Sequence, residues 1–132
     1  MHTSRGQLHI ETRQRIAGSQ PAVSDSTIRV RIGDDPAWAQ VDLDDSGWET
    51  PPIYSPPDTT ALLWIRLHVQ LEETEAPGLA VSGTAAREVY WDGVLIGTSG
   101  RVGTDWESER AGPVDAVFPI PDSLAALGHH VV

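Results

Sequence analysis

The stretch Glu88-Val-Tyr-Trp-Asp-Gly-Val-Leu-Ile-Gly97 leaves this part of the chain few alternatives. Two short apolar runs flank Asp92-Gly93, a dipeptide that tolerates the positive φ angles of a type I′ turn. The stretch reads as a tight β-hairpin carrying Tyr90 and Trp91 on its first arm.

The other periodic segments are strands as well. Over Leu62–Leu71 the side chains of Leu63, Ile65, Leu67, Val69 and Leu71 fall on one face, and Trp64, Arg66, His68 and Gln70 on the other, polar one. Thr27–Ile32 alternates too, which places Ile28, Val30 and Ile32 inward and Arg29 and Arg31 outward. Shorter strands are expected at Leu79–Ser82 and Val114–Ile120. Ten Pro and twelve Gly cut the chain into short pieces, which suits an all-β domain. Gly33–Pro57 and Thr98–Pro113 are long connections; the first carries Trp38 and Trp48 and is expected to pack down. Pro121–Gly128 reads as one or two helical turns, with Asp122 or Ser123 as cap and Gly128 ending it in the left-handed conformation. His129–Val132 reads as the start of a truncated last strand, which leaves a sheet edge to be covered from elsewhere. Residues 1–26 read as a linker or loosely attached arm, with one added strand near Gln7–Ile10; the domain itself spans 27–132.

A chain of 132 residues fits one domain with a core of its own. The absence of Cys rules out disulfides and thiolate metal sites. A net charge of -10 repels phosphate backbones and argues against nucleic-acid binding. No run approaches the ~20 apolar residues of a membrane span. Met1–Gly6 has no apolar h-region, so the protein is expected either in the cytoplasm or with its targeting segment removed.

Candidate chemistry is sparse. Asp42, Asp44 and Ser46 followed by Gly47 imitate the start of a calcium loop, but Ile53 stands where a bidentate carboxylate is needed. Asp44 and Asp45 are instead expected to cap a turn, with Trp48 packed on the sandwich. His129 and His130 are adjacent and face opposite ways on a strand, and no three convergent ligands are visible, so no metal is expected. No Gly-x-Ser-x-Gly elbow is present, and Glu107 and Glu109 read as solvated loop charges, so the chain is not expected to be an enzyme and no cofactor is implied. Trp48, Trp64 and Trp91 occupy core or sheet-face positions. Trp38 and Trp106 sit in the long loops. Trp106, among Arg101, Asp105, Glu107 and Glu109, is either a stacking platform for a small ligand or a pin for its loop.

At Asp44-Asp-Ser-Gly-Trp48, Trp64-Ile-Arg66 and Val89–Gly97 the chain resembles a galactose-binding-like jelly roll, and Pro119-Ile-Pro121 with Leu124–Val132 resembles its closing segment. The resemblance covers about residues 28–132, and departs from the usual pattern at Ile65, where Tyr is common, and at Asp92, where Asn is common. It implies a jelly-roll β-sandwich of two antiparallel sheets with a ligand site among the loops at one end. Such modules occur at the N-terminus of β-galactosidase- and β-glucuronidase-type glycosidases, and in extracytoplasmic sensor regions of bacterial membrane signalling proteins. Tyr90-Trp-Asp-Gly93 with Ile96-Gly-Thr-Ser-Gly100 is more similar to the sensor group.

The expectation is a non-catalytic, periplasmic ligand-sensing domain of a membrane-anchored protein, with a small molecule such as a carbohydrate as its partner. Its candidate contacts are Trp38, Arg101, Asp105 and Trp106. The rival expectations are a sugar-binding accessory domain of a large glycosidase, and a structural or homodimerisation module without a ligand.

Overall fold

The computed structural model describes residues 2–3, 9–13, 28–50, 62–71, 78–82, 85–103, 105, 107–113 and 115–132. Among them are nine strands: β1 (His2–Thr3), β2 (His9–Arg13), β3 (Ile28–Ile32), β4 (Leu63–Leu71), β5 (Gly78–Ser82), β6 (Arg87–Trp91), β7 (Val94–Ser99), β8 (Asp115–Pro119) and β9 (Gly128–Val131). The fold is all-β. One sheet runs β3-β4-β1-β6-β7, with β9 also on β4; the second runs β2-β5-β8, and every pairing is antiparallel.

β4 organises the larger sheet. Its apolar face buries Ile65, Leu67 and Leu71, and these join Val30, Val89 and Trp91 from the same sheet and Leu79, Val81 and Phe118 from the other. Residues of both sheets thus close over one core, an arrangement compatible with a β-sandwich. Inward side chains of this size each contribute about 1.5–3 kcal/mol when fully buried. Ile32 departs from the expected inward set: it ends β3 opposite the half-buried Leu63 and is 43% exposed.

The hairpin forms as read. Asp92 has φ +48° and Gly93 φ +82°, the two positive angles of a type I′ turn. Val89 pairs with Gly97 and Tyr90 with Leu95, so β7 carries one extra residue, a bulge at Ile96. The side chains of Val89 and Trp91 point into the core, while those of Glu88 and Tyr90 point to the outer face.

β1 and β9 lie end to end along one edge of β4. β1 sits opposite Leu63 and Trp64, β9 opposite His68–Leu71, and the Leu67 and Val132 backbones exchange hydrogen bonds of 2.8 and 2.9 Å. The opposite edge of β4 is taken by β3. Within the stretch expected to be an arm, residues 2–3 and 9–13 are therefore sheet strands, the second starting two residues after and ending three residues after the expected Gln7–Ile10. The remaining residues of that stretch lie outside the described ones.

The expected helical segment is only a 3-10 turn over Asp122–Leu124, and neither Asp122 nor Ser123 caps it. Pro121 precedes the turn and supplies the carbonyl that accepts from the Leu124 amide at 2.8 Å. The Trp91 indole donates to the Leu124 carbonyl at 2.9 Å and ties the turn to the core. Gly128, at φ +119°, opens β9 rather than ending a helix.

Candidate functional site

The outer face of β4 alternates polar and aromatic side chains, but it is not solvated. Trp64 is 2% exposed and Arg66 1%, because the 33–50 segment folds across them. Backbone bonds fix that segment at both ends: Gly33 to Leu62, and Val30 and Glu49 to each other. In between, Asp35 caps a 3-10 turn over Pro36–Ala39 that delivers Trp38.

Arg66 holds this cover down. Its Nε donates to Asp45 Oδ2 at 2.7 Å, and its Nη1 donates to the carbonyls of Trp38 (2.7 Å) and Gln40 (2.8 Å). Asp45 also binds His68 Nε2 at 2.8 Å. Burial pushes the Asp45 carboxyl up, but the hydrogen bonds and charges of Arg66 and His68 outweigh it and leave the carboxyl below its ordinary value. Asp44 caps the expected turn, accepting from the Ser46 amide at 3.0 Å.

Four aromatic rings follow one another along this face. Trp38 meets Trp48 edge-on at 5.3 Å and Trp64 edge-on at 6.3 Å, and Trp64 stacks on Tyr90 at 5.6 Å with 27° between planes. The Arg31 guanidinium stands 4.7 Å over Trp38 and 5.8 Å over Trp48. The expected core or sheet-face placement of Trp48, Trp64 and Trp91 agrees with their burial.

A groove of about 190 Å³ opens where this aromatic row meets the second long loop. Trp64, Tyr90 and Glu88 form its floor. Asp34 and Pro36 border it from the first loop, and Val102 and Gly103 from the second. The floor follows from pairing: His2 of β1 sits opposite both Trp64 and Glu88, so those two side chains share a face. Trp64 is nearly closed off, so Tyr90, half-buried, is the aromatic surface a ligand would touch. The Tyr90 hydroxyl donates to Glu88 Oε2 at 2.8 Å. Burial, then the Glu88 bond, and then the charges of Glu88 and Asp34 push its pKa up to about 12.

The second loop is closed on itself. Arg101 and Arg110 exchange backbone bonds of 2.7 and 2.9 Å, and Arg101 Nε donates to the Ser108 carbonyl at 2.9 Å. Asp105 accepts from the Ser108 amide at 2.8 Å, and its bonds to the Ser108 backbone and hydroxyl hold its carboxyl below the ordinary range. Arg87, buried beneath, reaches the Pro113 carbonyl at 3.4 Å and secures the far end of the loop.

The two expected loops therefore meet at one groove, whose described lining does not include Trp38, Arg101 or Asp105. Trp38 is edge-on to Trp64; Arg101 precedes the lining residue Val102 in the chain; Asp105 sits in the Ser108 turn. Trp106 lies outside the described residues. Glu88, Tyr90 and Asp34 line the groove and were not among the residues singled out from sequence. Alternation along β6 does place Glu88 and Tyr90 on one outward face, but only the pairing through β1 reveals that Trp64 is their neighbour. No family model, curated protein or solved structure matches the chain. Among the described residues no helix is long and apolar enough to cross a membrane.

Proposed function

We propose that this chain is a non-catalytic ligand-binding domain, a jelly-roll sandwich of the galactose-binding-like type that takes a sugar ring in the groove over Tyr90. The observation that carries the reading is the pairing of an accessible aromatic face with carboxylate acceptors. Tyr90 offers a flat apolar surface, and Glu88 and Asp34 offer oxygens for the hydroxyls at the ring's edge. Trp64 behind Tyr90 and the Arg66 anchor keep that surface rigid, which lowers the ordering cost of binding. The motif order of the sequence favours an extracytoplasmic sensor of a bacterial membrane signalling protein as the setting, with occupancy of the groove as the signal.

A thermal-shift screen of the chain against mono- and oligosaccharides, with and without calcium, tests the reading. The expected result is a saturable, concentration-dependent rise in Tm with one sugar class. Tyr90→Ala and Glu88→Gln abolish the rise, while Arg101→Ala and Asp105→Ala, in the bordering loop, weaken it. No shift across the panel, or one unaffected by Tyr90→Ala, overturns the assignment.

A further inference from the structure

His68 and His129 are 61 positions apart in sequence and meet on the sheet. β9 sets His129 opposite Gln70 and Val131 opposite His68, so the two histidines are diagonal neighbours on the outer face of adjacent strands. Their rings lie 5.2 Å apart with 27° between planes, and His68 Nδ1 is 3.0 Å from His129 Nε2. His130 points the other way, to Asp92, and takes no part.

The other nitrogen of His68 fixes the chemistry. Nε2 lies 2.8 Å from Asp45 Oδ2, and a carboxylate accepts, so Nε2 carries the proton. In the neutral ring Nδ1 is then a bare lone pair that accepts from His129 Nε2–H at 3.0 Å, so an ion binds by replacing that proton, which His129 gives up or moves to its own Nδ1. A carboxylate that orients an imidazole through its far nitrogen is the arrangement that positions histidine ligands on metals and raises their basicity. Asp45 is itself held by Arg66 at 2.7 Å, so the orienting group cannot swing away.

The spacing also fits. Two nitrogens bound to one tetrahedral zinc at the usual bond length are about 3.3 Å apart. The pair needs to open by a few tenths of an ångström from 3.0 Å and to turn both nitrogens from each other toward the ion; His129 is exposed, so its ring has room to make that turn. The His68 side chain is 32% exposed, so an ion can reach it from solvent.

We propose that His68 Nδ1 and His129 Nε2 form a two-point chelate for a divalent transition ion of the imidazole-preferring class, zinc or nickel, with Asp45 as the positioning residue and water completing the shell. Among the described residues no group of three or more His, Cys, Asp or Glu side chains gathers to hold a metal, so the site is open and exchangeable rather than a closed structural one. Its ion bridges β4 and β9, and therefore couples metal binding to the seating of β9. The proposal does not depend on the sugar groove.

The test uses the full 132-residue chain, titrated with zinc or nickel after treatment with a chelator. The expected result is a saturable rise in Tm with zinc, reversed by the chelator. His129→Ala is expected to fold, because His129 is exposed, and to lose the rise. In NMR spectra the ring resonances of His68 and His129 shift with zinc and broaden with paramagnetic nickel, ahead of those of His130. An absence of any Tm change up to millimolar zinc overturns the proposal. So does a rise that survives in His129→Ala, or a ring response confined to the other histidines.

Discussion

Asp92 and Val131 are joined in both directions: the Asp92 amide donates to the Val131 carbonyl at 2.8 Å, and the Val131 amide donates to Asp92 Oδ1 at 2.9 Å. The second carboxylate oxygen takes His130 Nδ1 at 2.6 Å, and His130 Nε2 meets the Ala126 carbonyl at 2.6 Å. One turn residue thus closes the hairpin and docks the last strand. Asp92→Ala removes the acceptor for a buried amide and places Ala at a φ that Asp tolerates better. The expected loss is about 2–3 kcal/mol in urea unfolding. Asp92→Asn, which keeps an Oδ1 acceptor and tolerates the same φ, should lose about 1 kcal/mol.

The Asp45–Arg66 pair calls for a double-mutant cycle. Arg66 is buried, so Asp45→Ala leaves its guanidinium without the charge that offsets its desolvation. The expected cost is about 3–5 kcal/mol. Arg66→Met in the Asp45→Ala background removes that uncompensated charge, and the double variant should be more stable than Asp45→Ala alone. A double variant that is less stable by the sum of the two single losses would show that the pair is not coupled.

The limits of sequence reading fall at the same place. Alternation made β4 legible, and the positive-φ tolerance of Asp92-Gly93 made the hairpin legible, because both are local properties of consecutive residues. The cover over the polar face of β4 was not legible because it comes from residues 33–50, and nothing local to Arg66 says that Asp45 will reach it. The groove residues Glu88 and Tyr90 were seen only as hairpin positions, since their link to Trp64 runs through a two-residue strand. His68 and His129 were read apart for the same reason: strand pairing brings them together, not spacing.

Gly97 lies directly against Phe118 of the second sheet. A Cβ there would fall into the Phe118 ring. Gly97→Ala should therefore cost about 1–3 kcal/mol by overpacking. Phe118→Leu in the same chain frees the ring's volume, and the two losses should fall short of additive. Strict additivity in chemical unfolding would mean that the ring moves aside at no cost.

Tyr90 supplies a pH dependence whose sign can be worked out. Its folded pKa is raised from 10.0 to about 12, by burial first and then by the Glu88 hydrogen bond and the charges of Glu88 and Asp34. Below pH 10 the phenol is protonated in both folded and unfolded chains, and its contribution to stability is complete. Between pH 10 and about 12 the unfolded chain releases this proton while the folded chain keeps it, so the folded state binds more protons and stability falls as pH rises. Absorbance at the phenolate band should show a late step near pH 12 in the native chain, absent in Tyr90→Phe. Urea unfolding of Tyr90→Phe should lose less stability over that pH window than the parent chain. A Tyr90 step at the ordinary pKa would mean that neither burial nor the Glu88 contact persists in solution, and the groove floor would not be held as described.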